Sequence, residues 1–483
     1  MINIINRKII DPRNRIDAEF YKVENMRFEE ELKKSGAMLL SGLCEESDKK
    51  VNPSEKEDEY FRYIEITDVN LLDGSFLPQT VLGIDAPSRA RKICRKNEII
   101  ISTVRPNRNA VAIVSSDEED ELVCSTGFCV LKCKEGVQPE EIFIFLKSSG
   151  TILQLNRRIR ATMYPAVANI DIMEIRIPEI SEDLRNRITR QMAEVYVLRK
   201  ETFSKLRKIY EIVEEFCDSI LRGLNLDDFD RKNNKKLILK SEVFNIANRM
   251  DPQFYRLLHD EIEKRLEKYE KIETLGTFFY KPYTGKTPAK GDYCDSEEDS
   301  VPIIKVGTLT NSGIKWSGVE YASLQFFNKN KKAIVKNGDI VFTSSAHSED
   351  HIGKKVDVIS DIPETYEGKC LFVGELMLLR NKDGRKIDPY YLVSFLRSTL
   401  GKIQIQRCAR GISSHIYGSD IEKYVKIPIP DDEIIEKISR LVSEVELRKN
   451  KAISIVRNLI KEYEAETQLT VFMERSKYGN MVS

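Results

Sequence analysis

The sequence predicts an α+β protein made of two similar halves, each a mixed α/β domain followed by a long helix. Three observations point to this fold class. Short segments recur in the same order in both halves, β-branched runs alternate with turn residues, and two stretches carry heptad-spaced apolar residues. We therefore expect two tandem mixed α/β domains separated by two long, antiparallel, coiled-coil-like helices, with a pseudo-twofold internal repeat.

The internal repeat opens with two eight-residue stretches, NRIDAEFY at 14–21 and NRMDPQFY at 248–255, which are identical at five positions. Two strand patterns, a helix with proline near its first turn and an Ile-Pro step then recur in the same order. These pairs are 60–70 with 301–311, 96–103 with 337–344, 137–149 with 387–399, and Ile177-Pro178 with Ile427-Pro428. The offset between the copies grows only from 234 to 250 residues, as expected for a duplication in which loops changed length.

A long helix is predicted after each Ile-Pro step. Residues of its apolar seam recur every seven positions, at Ile188, Val195, Thr202, Ile209 and Phe216 in the first helix and at Ile438, Val445, Ala452 and Leu459 in the second. A helix of roughly 40 residues is about 60 Å long. Because Thr202 and Arg448 are faults in the two patterns, we expect the helices to pack against each other within one molecule rather than to form separate zippers.

These patterns divide the chain into six parts. They are a first α/β domain at 1–178, a long helix at 179–222, a linker at 223–243, a second α/β domain at 244–428, a second long helix at 429–470 and a tail at 471–483. The linker is predicted because 226–240 is charged and rich in Asn and Asp. The tail is expected to be frayed, as chain ends often are.

Composition restricts the class of protein. The 77 Lys and Arg residues balance the 77 Asp and Glu residues, so the chain is not uniformly basic, although local basic patches could still bind nucleic acid. It contains no apolar run of about 18 residues that could span a membrane, and its N-terminal segment lacks the apolar core of a signal peptide. Nine scattered cysteines suit a reducing compartment. We therefore expect a cytoplasmic protein without a membrane partner.

One segment resembles part of a nucleotide-binding motif. Gly285-Lys286-Thr287 matches the end of a phosphate-binding loop. However, Tyr280 stands where that motif requires glycine, and Pro288 opposes a helix that would start there. A surface loop rich in glycine and proline is the favoured interpretation.

The sequence evidence for a metal site is equally weak. His347 and His351 in HSEDH could share a metal on a helix, but the serine-rich flanks favour a loop. Cys124, Cys129 and Cys133 lie in a strand pattern without a CxxC pair, and we expect them to be small core residues. With no persuasive catalytic constellation, the sequence predicts no catalytic residue, cofactor or metal in this chain and favours a binding or scaffolding role.

Basic residues gather with Ser, Asn and Tyr in loops, at 86–110 and 156–167 in the first half and at 327–337, 352–357 and 406–420 in the second. Such loops supply both phosphate contacts and bidentate base contacts. A solvated rim of salt bridges is the alternative for any single residue, but the loops together favour nucleic acid. Two such domains could bind two half-sites on a duplex, and because their loop sequences differ, the half-sites should differ as well.

The sequence resembles the specificity subunits of type I restriction–modification systems over nearly all of its length. The segments that carry the resemblance are NEIIISTVRPN (97–107), STGFCVLK (125–132), ATMYPAVANIDIMEIRIPEI (161–180), TGKTPAKGDY (284–293), VPIIKVGTL (301–309), NGDIVFTS (337–344) and ISSHIYGSDIEKYVKIPIP (412–430). The first half departs from the pattern because it has no clear counterpart of the Gly-x-Thr-Pro turn at 285–288. The loop at Arg160-Ala161-Thr162 also differs from Arg410-Gly411-Ile412.

The resemblance implies a non-catalytic subunit whose two α/β domains are target-recognition domains for the halves of an asymmetric bipartite DNA site. It also implies that two methyltransferase subunits dock through the long helices and that a restriction subunit joins this core. The methyltransferases would bring S-adenosylmethionine and flip the target adenine.

Seven residues are expected to bind DNA on this basis: Arg105, Arg108 and Arg160 in the first half, and Lys354, Arg407, Arg410 and Ser414 in the second. Two alternatives remain. One is a duplicated protein-interaction scaffold that reads no DNA. The other is a single-chain nuclease or nucleotide hydrolase that depends on Lys286.

Overall fold

The computed structural model describes residues 20–114, 121–160, 165–224, 252–294, 299–310, 313–346, 351–360, 362–384, 387–411 and 414–478. The chain forms two compact units: unit 1 is Met1–Lys200 with Arg448–Ser483, and unit 2 is Glu201–Leu447. The linker predicted at 223–243 lies outside the described residues except for its first two positions.

Unit 1 is a mixed α/β domain with short helices and mostly short strands. Its short helices are α1 (Val23–Lys34), α2 (Leu40–Leu43), α3 (Pro139–Lys147), α4 (Ser149–Arg158) and α5 (Asn169–Met173). Its strands are β1 (Met38–Leu39), β2 (Cys44–Glu46), β3 (Tyr60–Ile64), β4 (Gln79–Leu82), β5 (Ala90–Cys94), β6 (Ile99–Ser102), β7 (Val111–Ile113), β8 (Leu122–Ser125), β9 (Phe128–Cys133) and β10 (Arg176–Ile177). The first long helix, α6 (Glu182–Leu221), begins in unit 1 and ends in unit 2.

Unit 2 has the same kind of architecture. Its short helices are α7 (Leu257–Leu266), α8 (Leu275–Phe278), α9 (Leu324–Lys329), α10 (Pro389–Arg397), α11 (Thr399–Arg407) and α12 (Gly418–Tyr424). Its strands are β11 (Ile272–Thr274), β12 (Tyr283–Thr284), β13 (Tyr293–Cys294), β14 (Ser300–Ile304), β15 (Leu309–Thr310), β16 (Gly313–Ile314), β17 (Glu320–Ser323), β18 (Ile340–Thr343), β19 (Ser345–Ala346), β20 (Val356–Val358), β21 (Leu371–Phe372), β22 (Leu376–Leu379), β23 (Ser414–His415) and β24 (Lys426–Pro428). The second long helix, α13 (Asp432–Glu466), begins in unit 2, and α14 (Leu469–Tyr478) follows it in unit 1.

The sheets confirm the internal repeat. One sheet of unit 1 has the strand order β2-β9-β6-β7, and its counterpart in unit 2 has the order β12-β22-β18-β20. The second sheets are β4-β3-β8-β5 and β13-β17-β14-β21, and each contains one parallel pair, β3 with β8 and β14 with β21. The predicted strand pairs 60–70 with 301–311 and 96–103 with 337–344 therefore occupy equivalent positions.

Local sequence explains how the central strands β6 and β18 begin. In each case the acid just before the strand accepts a hydrogen bond from the backbone three residues earlier. Glu98 accepts from the Arg95 N–H at 2.8 Å, and Asp339 accepts from the Lys336 N–H at 2.7 Å. This hydrogen bond stabilises the turn that leads into the four buried residues of each strand.

The long helices contribute to both cores, as their heptad patterns predict. Ile188, Met192 and Val195 are buried in the core of unit 1, and Ile209 and Val213 are buried in that of unit 2. Thr202, a fault in the apolar pattern, is buried as well.

Ion pairs show the direction of the two helices within unit 1. Arg187 pairs with Glu462 at 3.0 Å, and Glu194 pairs with Lys451 at 2.6 Å. Because the partner number falls as the residue number rises, the helices are antiparallel there, which confirms the predicted fold class.

The C-terminal segment differs from the frayed tail that we expected at 471–483. Helix α14 buries Leu469 and Phe472 in the core of unit 1, and Leu469 lies against Gly150 of α4. The apolar pair is spaced for one helical face, which favours docking over fraying. Residues 479–483 lie outside the described part of the chain.

A buried cluster of arginine, phenylalanine and glutamate side chains lies in unit 1. The Arg157 guanidinium lies 4.1 Å from the centre of the Phe20 ring, and its Nε donates a hydrogen bond of 2.7 Å to the Phe20 carbonyl. Both Arg157 and Arg158 form ion pairs with Glu29. The cluster thereby joins the segment at 20–29 to the end of α4.

Unit 2 repeats this cluster with equivalent residues. The Arg407 guanidinium lies 4.3 Å from the centre of the Phe254 ring, and its Nε donates to the Phe254 carbonyl at 3.1 Å. Glu263 accepts from Arg407 at 3.0 Å and lies 2.9 Å from the Lys426 ammonium. The phenylalanine of each Phe-Tyr pair that ends the eight-residue repeat therefore packs in its cluster.

We predict that Arg157→Ala lowers the free energy of unfolding by about 3–5 kcal/mol, because it removes one partner from a largely buried ion-pair network. Arg407→Ala should cost less, because the Glu263 side chain is 35% exposed whereas that of Glu29 is 14% exposed. Denaturant unfolding of the purified chain measures both effects. Arg207→Ala is the control, since Arg207 pairs with Glu211 on an exposed helix face and should change little. Equal effects of all three variants would contradict the structural role of the cluster.

The same cluster predicts an acid-dependent loss of stability. Burial alone would raise the pKa of Glu29, but the guanidinium groups of Arg158 and Arg157 outweigh it and hold the pKa below its ordinary value. A lowered carboxyl pKa stabilises the fold above the pKa of the unfolded chain, and this contribution disappears as the pH falls through the folded pKa. The free energy of unfolding should thus fall less steeply with acid in Glu29→Gln than in the wild type. Identical slopes of unfolding free energy against pH would contradict this prediction.

Candidate nucleic-acid interface

Two chain segments meet where the central strand of each unit ends. In unit 1, the Arg105 N–H donates to the Pro165 carbonyl at 2.7 Å, and the Val167 N–H donates to the Thr103 carbonyl at 2.9 Å. In unit 2, β19 pairs with β23, and the Ile416 N–H donates to the Ser344 carbonyl at 3.0 Å. The loop after α4 or α11 is thus held against the end of β6 or β18.

A turn between two strands supplies the third segment. In unit 1, the Thr103 N–H and hydroxyl both donate to the Gly127 carbonyl, at 2.8 and 2.9 Å. In unit 2, the Ser344 N–H and hydroxyl donate to the Glu375 carbonyl, at 2.9 and 3.1 Å. We call these assemblies the strand-end edges; they comprise 103–105, 125–127 and 165–167 in unit 1, and 344–346, 373–375 and 414–416 in unit 2.

An arginine at the start of the loop makes an ion pair in each unit. Arg160 lies 3.0 Å from Asp171, which is fully buried and also accepts the Ala168 N–H at the start of α5. Arg410 donates through Nε and Nη2 to the two carboxylate oxygens of Asp420, at 2.8 and 2.7 Å. These aspartates fix the guanidinium groups beside the strand-end edges.

The side chains on the two edges differ although the backbones correspond. Unit 1 carries Arg105, Gly127 and two alanines where unit 2 carries small, acidic or aromatic residues. The matched pairs are Arg105 with Ala346, Gly127 with Glu375, Ala166 with His415 and Ala168 with Tyr417. The Arg410 guanidinium lies 5.4 Å from the centre of the exposed Tyr417 ring. One framework thus presents two different sets of donors, acceptors and aromatic surface.

The seven residues that were predicted to bind DNA have different environments. Arg105 and Arg160 lie at the edge of unit 1; Arg410 and the largely buried Ser414 lie at the edge of unit 2. Lys354 is exposed in the turn that follows Gly353, whose N–H donates to the carbonyl of Thr343, the last residue of β18.

Two of the predicted residues are buried. Arg108 is enclosed in a short 3-10 turn after Arg105. The Arg407 side chain is 11% exposed and belongs to the buried cluster described above, whereas that of Arg410 is 37% exposed. Both side chains thus belong to the framework that supports the loops, and their contact with DNA stays a prediction.

Sequence reasoning missed the residues that hold the edges in place: Thr103, Asp171, Ser344, Glu375 and Asp420. Thr103 and Ser344 were both inside the repeated strand segments, and the repeat could have indicated a shared role. Both aspartates lie in the first turn of a short helix, where acidic side chains are favoured. Pairing each aspartate with an arginine about ten residues earlier required the folded loop.

The segment Gly285-Lys286-Thr287 packs against the strand-end edge of unit 2 and does not form a phosphate-binding loop. The Lys286 N–H donates to the Phe372 carbonyl at 3.0 Å, so it is already paired. A Cβ on Gly285 would lie 1.9 Å from that same carbonyl oxygen, which explains why glycine is required. A strand precedes this segment only at Tyr283–Thr284, and a 3-10 turn at Lys290–Asp292 follows it.

Other chemistry is not evident in the part of the chain that the structure describes. It contains no group of three His, Cys, Asp or Glu side chains arranged to hold a metal ion, and His347 lies outside that part. Cys124 and Cys129 are buried, as expected, while the half-buried Cys133 lies with its Sγ 3.5 Å from that of Cys44. None of the helices in the described part of the chain is long and apolar enough to cross a membrane.

Comparison with protein families identifies one domain. The family described as the type I restriction modification DNA specificity domain matches residues 267–457. This range includes the strand-end edge of unit 2 and much of α13. No match was found among curated proteins.

Several solved structures resemble the chain over most of its length. They include the HsdS subunit from Thermoanaerobacter tengcongensis (19% identity, 92% of this chain, 96% of that chain, TM-score 0.29) and the S subunit of a type I restriction–modification system from M. genitalium (14% identity, 91% of this chain, 94% of that chain, TM-score 0.29). A third comes from work on complex assembly and conformational transition of the type I R-M system (20% identity, 92% of this chain, 97% of that chain, TM-score 0.30). At these TM-scores the likenesses carry no argument of their own, and the assignment rests on the family match. Residues 267–457 are thus similar to a type I restriction modification DNA specificity domain, in agreement with the resemblance seen in the sequence.

Proposed function

We propose that each unit reads one half of an asymmetric bipartite DNA site and that the chain positions methyltransferase subunits for adenine methylation. The observation that carries this proposal is the pair of strand-end edges, which share a backbone arrangement but differ in side chains. A shared backbone suits two modules that bind the same polymer, and different side chains suit two different base sequences. The proposal also places the chain in the cytoplasm, where its DNA would be.

Arg105, Arg160, Lys354 and Arg410 are the proposed cationic DNA contacts, and Ser414 contributes through the backbone of its edge. Arginine can bind a guanine edge with two hydrogen bonds, whereas an exposed lysine suits a phosphate. Arg410 lies beside the Tyr417 ring, so that edge also offers an aromatic surface. The Asp171 and Asp420 carboxylates orient the two guanidinium groups before DNA arrives.

The long helices are the proposed docking surfaces for two methyltransferase subunits. Val197 of α6 is 56% exposed, and Leu447, at the equivalent position of α13, is 69% exposed. These two exposed apolar side chains occupy matching positions of the internal repeat, which suits two copies of one partner. The partner would bring S-adenosylmethionine, and a restriction subunit would join the assembled core.

Methylome sequencing of cells that contain this chain and a cognate methyltransferase tests the function. We expect N6-methyladenine in a motif with two unlike halves across a fixed gap, and its loss when the chain is removed. Arg160→Ala should relax base preference in one half and Arg410→Ala in the other, each by about 1–3 kcal/mol at a base pair. Arg160→Lys and Arg410→Lys keep the charge beside each aspartate and control for local misfolding. An unchanged methylation pattern after removal of the chain would favour the protein-interaction scaffold instead.

Docking is tested by native mass spectrometry of the chain with its methyltransferase. We predict that Val197→Asp and Leu447→Asp each reduce occupancy from two methyltransferase copies to one, and that the double variant binds neither. A buried Val or Leu side chain is worth about 1.5–3 kcal/mol, and a buried carboxylate would add a further penalty. Ser204→Asp on the exposed face of α6 is the matched control and should retain two copies. Retention of two copies by both apolar variants would exclude this surface.

A further inference from the structure

The Gly-x-Thr-Pro turn of unit 2 places one carboxylate at the strand-end edge. The Thr287 hydroxyl donates to Oε2 of Glu375 at 2.7 Å and accepts the Gly374 N–H at 3.0 Å. The close approach of Gly285 to the Phe372 carbonyl brings the turn near enough for these contacts. Thr287 thereby fixes the direction of the Glu375 side chain.

The backbone of Glu375 is fixed by the same edge. Its carbonyl accepts the N–H and hydroxyl of Ser344 and, at 3.3 Å, the N–H of Ser345. Its side chain is only partly buried, and among the described residues Oε1 has no hydrogen-bond donor. Glu375 is therefore a pre-oriented hydrogen-bond acceptor at this edge.

A carboxylate is unfavourable beside DNA phosphates unless it meets a hydrogen-bond donor. In the major groove, exposed base donors are the exocyclic amino groups, N4 of cytosine and N6 of adenine, while guanine O6 and thymine O4 are acceptors. We infer that Glu375 is a specificity-determining residue that accepts a hydrogen bond from an exocyclic amino group in the second half-site. This inference rests on the proposed function, and it assigns Thr287 as the positioning residue for Glu375.

Unit 1 provides an internal comparison. The equivalent turn carries Gly127, whose carbonyl accepts the N–H and hydroxyl of Thr103 in the same way. Glycine offers no side-chain acceptor, and the first half of the sequence has no clear Gly-x-Thr-Pro turn. The two features are thus present together in unit 2 and absent together from unit 1, so this turn of unit 1 offers no carboxylate to the first half-site.

Glu375→Gln distinguishes base reading from a purely structural role. The glutamine amide has nearly the same size, and its oxygen can still accept from Thr287. It also adds an N–H donor, which favours adenine through paired N6 and N7 contacts. If Glu375 binds cytosine N4, the variant should shift preference at one base pair of the second half-site toward adenine by about tenfold. If it binds adenine N6, adenine should remain preferred, and Glu375→Ala should lose that preference by about tenfold.

The experiment is methylome sequencing with the wild type, Glu375→Gln, Glu375→Ala and Thr287→Val, followed by binding assays of the assembled complex on matched duplexes. Thr287→Val should weaken discrimination at the same base pair without changing which base is preferred. Glu267→Gln, at an exposed position after α7, is the control and should leave the motif unchanged.

Two negative outcomes can be told apart. A bipartite wild-type motif that all Glu375 and Thr287 variants leave unchanged would overturn this inference alone. A wild-type chain without any bipartite motif would overturn the proposed function and this inference with it. If Glu375→Gln instead lowers methylation equally at sites with any base at that position, and also lowers the unfolding midpoint, the contact serves stability. That result would reject base reading.

Discussion

A hydroxyl group that follows the central strand holds each candidate interface together. Thr103 and Ser344 donate their N–H and hydroxyl hydrogens to one carbonyl, and their own carbonyls accept from the returning loop. Three segments that are distant in the sequence are thereby fixed to one strand end. Because these contacts are made mostly by backbone atoms, neighbouring side chains can change without moving the segments. That constraint makes a duplicated framework compatible with two different recognition surfaces.

Arginines three positions apart have contrasting surroundings in both units. Arg157 and Arg407 are enclosed by an aromatic ring, a carbonyl and a glutamate, whereas Arg160 and Arg410 are partly exposed beside an aspartate. An enclosed guanidinium cannot exchange its carboxylate for phosphate without leaving another buried charge unpaired, which is costly. A partly exposed guanidinium can add a base or phosphate while keeping its aspartate. Burial therefore distinguishes enclosed framework arginines from arginines that are accessible to a ligand, where charge and sequence position do not.

Much of the fold could be predicted because its signals are local or repeated. β-branched runs gave β3, β6, β14 and β18, and heptads gave the long helices. The buried clusters could not be predicted because Phe20 and Arg157, like Phe254 and Arg407, meet only in the folded chain.

The candidate site shows the same limit. The basic loops drew attention to the partly exposed Arg160 and Arg410, but also to Arg108 and Arg407, which have the same charge and are largely buried. Glu375 was missed because its partner, Thr287, lies in a turn that the sequence indicated only as a surface loop rich in glycine and proline. The tail was misjudged since its polar end outweighed Leu469 and Phe472, which the core of unit 1 buries. Each miss arose where a tertiary contact, rather than local pattern, decides the role of a side chain.

The duplication also leaves the units unequal in how the chain completes them. Unit 2 is one continuous stretch, Glu201–Leu447, whereas unit 1 needs Arg448–Ser483 in addition to Met1–Lys200. The late segment is not peripheral, because Val456, Leu459 and Tyr463 are fully buried in the core of unit 1 and the Tyr463 hydroxyl donates to the Pro178 carbonyl at 3.0 Å. During synthesis, unit 2 can close its core before unit 1 has all of its own. Unit 1, which comes first in the sequence, is thus the last to complete its core. A chain that lost α14 would lack core residues of unit 1 while retaining every residue of unit 2.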